Sequence, residues 1–251
     1  MRAAALYDIH GMADALEAVL AELEDEHLDV VVIGGDAVGG PQPAETLARL
    51  RNLGDRARWI RGNGDRALGP DGAGAVSAGE ESSAVLEFTR GSLTAEDCIF
   101  LSELPEKTTL EIDGLGPVLF CHGTPLSDLE IVTTATPDEH LARALAGVEE
   151  QVVVAGHTHM QFDRQVDGQR WINAGSVGMP YEGEVAAFWA FLGPDVELRR
   201  TPFDTERAAS AILASGWPGA DEFVRENIRE AVSPDEVIPL FEQIAVDRGE
   251  R

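Results

Sequence analysis

Basic residues are scarce in this chain of 251 residues, where 19 Lys and Arg face 45 Asp and Glu, and Lys107 is the only lysine. The formal charge of −26 argues against nucleic acid or an anionic membrane as a stable partner, because phosphate groups are bound by Lys and Arg. A small anionic substrate is repelled as well, unless bound cations reverse the local field.

Cysteine and long apolar runs are scarce too. Cys98 and Cys121 do not form a CxxC pair, so a zinc ribbon or a redox motif is not expected, and both are predicted to be buried, reduced thiols. No apolar run reaches the roughly 18–20 residues that span a bilayer. The first residues also lack the apolar stretch and cleavage site of a signal peptide, so we expect a cytoplasmic protein.

Short apolar runs alternate with helical patterns in the first quarter of the chain. The runs at 3–7, 29–33 and 57–60 predict buried strands, and the spacing of apolar residues predicts helices over 12–26 and 41–53. This alternation of strands and helices implies parallel strands joined by helical crossovers. Polar residues follow each strand directly, at the end where open α/β sheets bind their ligands.

The rest of the chain is richer in antiparallel strands. The pattern predicts strands over 107–112, 117–120, 151–155, 160–166, 169–173, 184–192 and 196–201, and helices over 83–90, 94–104 and 136–146. Residues 66–83 are rich in Gly, Ala and Ser without periodicity, which predicts a loop. We expect an α/β fold of two sheets packed face to face between helices, with one domain over 1–203 and a C-terminal helical extension over 204–251 packed on it.

Seven side chains that can bind metals follow predicted strands: Asp8, His10, Asp36, Asn63, His122, His157 and His159. Any one of them could be a cap or turn residue, but their recurrence at strand ends indicates one shared site. Seven N and O ligands are too many for one tetrahedral ion and suit two ions of higher coordination. Imidazole-rich ligation favours Mn²⁺, Fe, Zn²⁺, Ni²⁺ or Co²⁺ over Mg²⁺ or Ca²⁺ alone, with Mn²⁺ preferred. The other histidines, His27 and His140, are predicted to be solvated.

The series Asp8-x-His10, Gly35-Asp36, Gly62-Asn63-x-Asp65, His122-Gly123 and Gly156-His157-x-His159 resembles the calcineurin-like metallophosphoesterase superfamily, most of all its small bacterial and archaeal phosphodiesterase branch. The resemblance implies a four-layer α-β-β-α sandwich of two mixed sheets with a dinuclear metal site at the strand ends. It implies that Asp8, His10 and His159 bind one metal and that Asn63, His122 and His157 bind the other. Asp36 would bridge the two. Asp36, Asn63 and His122 would thus serve catalysis through the metals, with a metal-bridging hydroxide as the nucleophile.

One residue departs from that pattern. Gly64 stands where most of the superfamily has a histidine near the leaving group, which leaves the general acid unassigned. A positioned acid contributes about 10²–10⁴-fold to rate, so we predict hydrolysis of phosphodiesters, or of phosphomonoesters with good leaving groups. Arg66 could meet a substrate phosphate or be an ordinary surface residue. Gly175 and Ser176 could offer backbone N–H groups to a phosphate or simply form a tight loop.

Other functions remain open at this level. The same fold could serve as a protein-interaction scaffold of weak activity, and the same site could belong to a protein phosphatase or a dinucleoside polyphosphate hydrolase. A small phosphoester is the expected partner, without a stable nucleic acid or membrane partner. The segment after 203 is expected to pack through Trp217 and Phe223, and its use as a homodimer surface is the alternative.

Overall fold

Two mixed sheets organise the computed structural model, which describes residues 1–70 and 83–251. Within these residues each sheet has five strands. The first sheet contains, in spatial order, β10 (Val196–Thr201), β9 (Ala187–Leu192), β1 (Ala3–Leu6), β2 (Val30–Ile33) and β3 (Ala57–Trp59). The second contains β4 (Lys107–Ile112), β5 (Gly116–Cys121), β6 (Val152–Ala155), β8 (Gln169–Ala174) and β7 (Gln161–Val166). In each sheet three strands run parallel, namely β1, β2 and β3, and β5, β6 and β8.

Side-chain alternation along β1 separates two apolar cores. Ala4 and Leu6 pack into the cluster beneath the helices of the first sheet, while Ala3 and Ala5 face the second sheet. This period of two is what an extended strand buried on both faces requires. The core between the sheets consists mostly of small and β-branched side chains, with the rings of Tyr7 and Phe120 among them.

Helices cover the outer face of each sheet. They are α1 (Ala13–Glu24), α2 (Pro43–Arg51), α3 (Asn63–Ala67), α4 (Ser83–Ser92), α5 (Ala95–Ser102), α6 (Asp138–Ala144), α7 (Thr205–Ala214), α8 (Ala220–Phe223) and α9 (Pro234–Asp247). A 3₁₀ turn at Gly54–Arg56 and a π-helical turn at Val224–Arg229 complete the helical segments of the described chain. Leu16 and Val19 of α1 pack on the first sheet, and Leu141 of α6 packs on the second. The predicted helix–sheet–sheet–helix sandwich is confirmed.

Element boundaries differ from the sequence prediction by a few residues. Part of the loop predicted over 66–83 is helical, because α3 extends to Ala67 and α4 begins at Ser83; residues 71–82 of that prediction lie outside the described residues. The helix predicted over 136–146 begins only after Pro137, which is its N-cap. Proline restricts the residue before it away from helical conformation, so the first predicted turn does not form.

The burial of individual side chains corrects two expectations. His140 is buried, with Nε2 2.9 Å from a carboxylate oxygen of Glu130, so the prediction of a solvated histidine is wrong there because its helix turns it inward. His27 is exposed as predicted. Cys121 is buried but Cys98 is partly exposed, and both are free thiols.

The C-terminal helices join the first core. Ala208 and Ile212 of α7 lie in the same apolar cluster as α1. Phe223 is buried there, and the Trp217 ring meets its edge at a centroid distance of 5.2 Å. The proposed boundary between residues 203 and 204 remains a prediction. Among the residues that the structure describes, no helix has the length and apolar character needed to cross a membrane.

Candidate metal centre

The seven predicted ligands lie together at one edge of the sandwich. Each follows the carboxyl end of a strand, and the parallel strands of both sheets deliver their ends to this edge. Asp8 and His10 follow β1, Asp36 follows β2, Asn63 follows β3, His122 follows β5, and His157 and His159 follow β6. All seven are buried except His10, which is partly buried.

Tyr7 explains why glycines precede two of these ligands. Its ring lies between the sheets directly beneath the site, and its hydroxyl donates to the Val154 carbonyl oxygen at 2.9 Å. A Cβ atom at Gly34 would lie 2.2 Å from the Tyr7 ring, and one at Gly156 would lie 2.5 Å from it. The two loops can pass over the ring only because these residues lack side chains.

A first group of ligand atoms comes from Asp8, His10 and His159. Their ligand atoms all lie within 4.8 Å of one another. The two imidazole Nε2 atoms are 3.1 Å apart, and Nε2 of His159 is 3.3 Å from Oδ1 of Asp8. Two nitrogen lone pairs this close repel each other unless a proton or a metal ion lies between them.

A second group comes from Asp8, Asp36 and His122, whose ligand atoms also lie within 4.8 Å of one another. Nε2 of His122 is 3.5 Å from Oδ2 of Asp36 and 3.8 Å from Oδ1 of Asp8. Asp8 therefore belongs to both groups in this geometry, whereas the family resemblance assigns the shared position to Asp36.

Asn63 links this second group to His157. The amide oxygen Oδ1 lies 3.2 Å from Nε2 of His122, and the same side of the amide lies 3.1 Å from Nδ1 of His157. With its NH₂ group turned to these nitrogens, Asn63 would donate to both of them and to the Asp128 carbonyl oxygen, and its oxygen would accept from the N–H of Gly64. A cation bound by the two nitrogens would be met by the amide oxygen instead. The donor set therefore fits a metal ion.

Backbone carbonyls orient all four imidazoles. One ring nitrogen of each histidine lies 2.8–3.2 Å from a carbonyl oxygen, that of Gly39 for His10, Gly34 for His122, Leu129 for His157 and Met179 for His159. A carbonyl can only accept, so that nitrogen carries the proton and the other nitrogen turns its lone pair to the site. This arrangement is typical of histidines that bind metals.

Asp8 offers an oxygen that the fold leaves without a partner. Its Oδ2 accepts from the backbone N–H of His157 at 2.8 Å, while Oδ1 is buried and makes no hydrogen bond. An unsatisfied buried carboxylate oxygen is costly. Its position between the imidazoles of both groups gives a cation the missing partner.

The backbone at this edge is held in an unusual conformation. Asp8, His10, Asp36, His157 and His159 have φ between 46° and 67°, and they make up five of the six non-glycine residues with positive φ in the described chain. The left-handed region costs a side chain of order 1–3 kcal/mol. Such strain concentrates at functional sites, because it aims side chains that a regular strand could not bring together.

The charges at this edge favour a bound cation. Burial alone would raise the pKa of Asp36, but His122 outweighs it and holds that pKa well below the usual range. Burial likewise lowers the pKa of His122, but Asp36 and Asp8 raise it to about 10. The described site thus stabilises a proton on His122 at the lone pair where a metal ion would bind.

Asp65 is a functional residue that the motif contained but to which we assigned no role. Its carboxylate is buried and accepts from the backbone N–H groups of Asp36, Ala37 and Gly62 at 2.8–3.2 Å. Burial and the charge of Asp36 raise the pKa of Asp65 to about 7. The signal in the sequence was its place two residues after Asn63, but its role in fixing the Asp36 loop requires the fold.

The three predicted substrate contacts lie near the site in different situations. Arg66 makes a two-point ion pair with Asp128 at 2.7 and 3.0 Å, in a pocket that His122 also lines. Ser176 is fully buried and its hydroxyl donates to the Asp8 carbonyl oxygen at 2.7 Å. The N–H of Gly175 donates to Asn173. The hydroxyl therefore braces the Asp8 loop, the N–H closes the turn after β8, and contact with substrate stays a prediction for all three residues.

Gly64 is close to the centre of the site. Its N–H donates to Oδ1 of Asp36 at 2.8 Å, and a Cβ atom at this position would lie 3.1 Å from the same oxygen. A larger residue would crowd the carboxylate. Glycine at this position leaves space for the Asp36 side chain. It also provides no acidic group beside a leaving group.

The chain is similar in sequence and fold to several known proteins. The model of the calcineurin-like phosphoesterase superfamily domain matches residues 1–191. An uncharacterised protein of Methanocaldococcus jannaschii is 27% identical over 235 residues, which cover 86% of this chain and 93% of that protein. A symmetrical bis(5′-nucleosyl)-tetraphosphatase of Klebsiella pneumoniae is 32% identical over 136 residues, or 52% of this chain and 46% of the relative. The chain thus matches less than half the length of that enzyme.

Two solved structures share most of the fold. A metallophosphoesterase from Sphaerobacter thermophilus aligns with a TM-score of 0.69 at 25% identity, over 91% of this chain and 98% of that one. A hypothetical protein from Pyrococcus horikoshii aligns with a TM-score of 0.76 at 22% identity, over 89% of this chain and 97% of that one. With the family model matching well over half of its length, the chain belongs to the calcineurin-like phosphoesterase superfamily of metal-dependent phosphoesterases.

Proposed function

We propose that this protein hydrolyses phosphodiesters, or phosphomonoesters with good leaving groups, using two divalent metal ions. The ions would be held by the seven ligands Asp8, His10, Asp36, Asn63, His122, His157 and His159. One observation carries the proposal: His10, His122 and His159 are each anchored to a carbonyl through one nitrogen and place the other within 3.8 Å of the buried Oδ1 of Asp8, which has no hydrogen-bond partner. Manganese is the first metal to test, and Fe, Zn²⁺, Ni²⁺ and Co²⁺ suit the same donors.

The ions, when bound, would activate a water and offset charge on the phosphoryl oxygens. The chain contributes the geometry. Asp65 fixes the loop that carries Asp36 through three backbone hydrogen bonds, and Ser176 fixes the loop that carries Asp8. The resulting preorganisation holds the ligands before any cation arrives.

Leaving-group dependence tests the role of Gly64. Since this position offers no acid, we expect aryl esters, whose leaving groups need no proton, to react faster than alkyl esters by about 10²-fold or more. The measurement is the hydrolysis rate of 4-nitrophenyl and methyl phosphodiesters of matched charge. Equal rates on both, with chemistry rate-limiting, would refute the assignment and point to an acid elsewhere in the chain.

A phosphoester panel tests the proposal as a whole. We expect Mn²⁺-dependent hydrolysis of bis(4-nitrophenyl) phosphate that a chelator abolishes and added Mn²⁺ restores. A purified protein that neither binds Mn²⁺ nor hydrolyses any monoester, diester or cyclic nucleotide would instead favour a function as a protein-interaction scaffold. The panel separates these two functions without any mutant.

A second candidate is the hydrolysis of dinucleoside polyphosphates. It is favoured by the Klebsiella pneumoniae relative and by a pocket of about 250 Å³ beside His122. Arg61, Arg66 and Lys107 line that pocket together with Glu106 and Asp128. The two carboxylates pair with Arg61 and Arg66, so a polyphosphate would compete with them for the two guanidinium groups. Faster turnover of diadenosine tetraphosphate than of bis(4-nitrophenyl) phosphate, lost on Arg61→Met, would establish this candidate. A rate that is indifferent to Arg61→Met would remove it.

A further inference from the structure

The C-terminal helix α9 forms one wall of the cavity that holds the ligand side chains. The cavity is about 200 Å³ in volume. Five of the seven ligands line part of it, and the rest is lined by Met179, Tyr181, Leu240, Phe241 and Ile244. The last three belong to α9, which lies beyond the residues 1–191 that the family model matches.

Several contacts outside the cavity hold α9 in place. Glu242 accepts from the hydroxyls of Thr133 and Thr136 at 2.6 and 3.1 Å, and it is also paired with Arg251. Arg248 donates to the carbonyl oxygen of Leu129 at 3.0 Å. These bonds fasten the helix to the loop between β5 and α6, so that its inner face has a fixed position over the ligands.

The same loop connects α9 to a ligand. The Leu129 carbonyl oxygen that accepts from Arg248 also lies 3.2 Å from Nε2 of His157. On the other side, Phe241 packs against the Tyr181 ring at 6.1 Å, and Tyr181 stacks on His159 at 5.1 Å with an interplanar angle of 22°. The apolar wall is therefore continuous with the imidazoles rather than a separate surface.

Leu240 is the residue that this arrangement leaves unexplained. It is 59% exposed although it lies in the lining of the cavity. The cavity is smaller than the about 300–1,000 Å³ of pockets that enclose a whole drug-sized ligand. A substrate whose phosphoryl group reached the ligands would have to extend one ester group out of the cavity, where Leu240 and Ile244 lie.

The chemistry of that group follows from the side chains it meets. The α9 side of the cavity offers aliphatic and aromatic carbon, and no Lys or Arg lies among its lining residues. The basic side chains beside the site, Arg61, Arg66 and Lys107, lie in the other pocket with His122. A charged ester group gains nothing from the α9 wall, whereas an apolar one removes exposed carbon surface on both partners from water.

We propose that α9 determines specificity by binding an apolar, ring-containing ester group of the substrate against Leu240, Phe241 and Ile244. The inference rests on the proposed function, since it assumes that the phosphoryl group binds at the metal ligands. It narrows the substrate class to phosphoesters that carry an aryl or similarly flat apolar substituent.

Two phosphonates that differ by one ring test the proposal by direct binding. Phenylphosphonate and methylphosphonate carry the same anionic group and are not hydrolysed. The ratio of their calorimetric Kd values in the presence of Mn²⁺ therefore reports the contribution of the apolar α9 side chains to binding. We expect the wild type to bind the phenyl compound about tenfold more tightly. Leu240→Ala should reduce that ratio to about threefold or less and raise KM for aryl esters more than it changes kcat.

Val246→Ala is the matched control. Val246 is also apolar, 54% exposed and on α9, but it does not line the cavity, so the variant should keep the wild-type ratio. Ile244→Ala provides a second test on the wall, and thermal melting verifies that each variant is folded. Equal affinities of the wild type for the two phosphonates, or the same ratio in Leu240→Ala as in wild type, would overturn the inference.

Hydrolysis of bis(4-nitrophenyl) phosphate in the same preparations separates the two proposals. A protein that hydrolyses this ester but shows no preference for phenylphosphonate has the proposed function, but its α9 does not bind the ester group as proposed. A protein that binds neither phosphonate and hydrolyses nothing contradicts both proposals.

Discussion

The two sides of the cavity are built in opposite ways. The strand-end side consists of short loops in which five ligand residues have left-handed backbone, and its polar atoms include the buried Oδ1 of Asp8, which has no hydrogen-bond partner. The α9 side is a helix of 14 residues with Pro239 in its interior, and it contributes carbon surface. The first side has recognisable motifs and strained geometry, whereas the second has neither.

This difference separates chemistry from selectivity. Metal ligation requires particular atoms at particular distances, which only a few residue types provide, so it leaves a pattern in the sequence. An apolar wall requires only carbon at the right place, which any amphipathic helix provides. The strand-end side should therefore respond sharply to single substitutions, and the α9 side gradually.

The largest effect is expected at Asp36. Asp36→Asn removes a charge that faces His122 at 3.5 Å; we expect loss of Mn²⁺ and a fall in activity beyond the about 10–100-fold typical of residues that only support ligands. Metal content by mass spectrometry and the hydrolysis rate measure it. Asp138→Asn, at an exposed position of α6, is the control. A variant with full metal content and activity would remove Asp36 from the site.

Gly35 tests the strained backbone directly. Its φ is +98°, and a Cβ atom would lie 2.6 Å from the backbone nitrogen of Gly62 and from Nδ1 of His122. We expect Gly35→Ala to lower the free energy of unfolding of the metal-free protein by roughly 2–4 kcal/mol, measured by urea denaturation.

Gly91→Ala gives the matched comparison for that prediction. Gly91 lies in α4, and a Cβ atom there would meet nothing within 4 Å, so we expect unchanged stability or a gain of up to about 1 kcal/mol. If the two variants were equally stable, the strand-end loops would be far more pliable than their geometry indicates.

The smallest effect is expected on the α9 side, at Glu242. Burial acts to raise the pKa of this carboxyl, but hydrogen bonds from Arg251 and Thr133 outweigh it and lower the pKa. A lowered pKa contributes stability that is present above the unfolded value near 4.5 and is lost as pH falls through the folded value. Because the Glu242 side chain is only partly buried, with 23% of it exposed, solvent screens its charge, and we expect Glu242→Gln to cost only about 0.5–1 kcal/mol at pH 7.

Urea denaturation at pH 7 and at pH 4 checks this prediction. The difference in unfolding free energy between wild type and Glu242→Gln should shrink at the lower pH, because pH 4 lies below the unfolded value of 4.5, where the contribution of the folded carboxylate begins to be lost. Glu206→Gln, at an exposed position of α7, should behave like wild type at both values. An equal loss at both pH values would mean that the charge of Glu242 does not hold α9 in place.

Much of the fold could be predicted because its signals are local. The apolar runs before Asp8, Asp36 and His122 form β1, β2 and β5, and the Asp167-Gly168 turn joins β7 to β8. β1 and β2 are buried along their whole length and β5 is buried from Val118 onward, which is why a continuous apolar run identifies each of them as a central strand. Since the ligands follow these strands, the predicted strands also predicted where the ligands would meet.

The rest depends on contacts between distant segments, which no local pattern records. His140 and Glu130 lie ten positions apart and pair only because α6 packs against the preceding loop. The backbone bonds of Asp65 to the Asp36 loop cross 28 and 29 residues. The spacing of Leu240 is that of an apolar residue in an ordinary amphipathic helix. Its place beside the ligands depends on how α9 packs against the rest of the fold. The general acid also remains unassigned, since Gly64 has no side chain to provide it.

The left-handed residues have a consequence for local stability. Free energy stored in five backbone positions makes the ligand loops the frustrated part of a sandwich whose central strands are fully buried. Without metal, these loops should be the first unit to open in native-state hydrogen exchange, well before β1 or β6. A cation that binds only the closed loops would raise their protection by linkage. Binding of the metal ions would then be the last step of folding, and it would take place after the two sheets have formed.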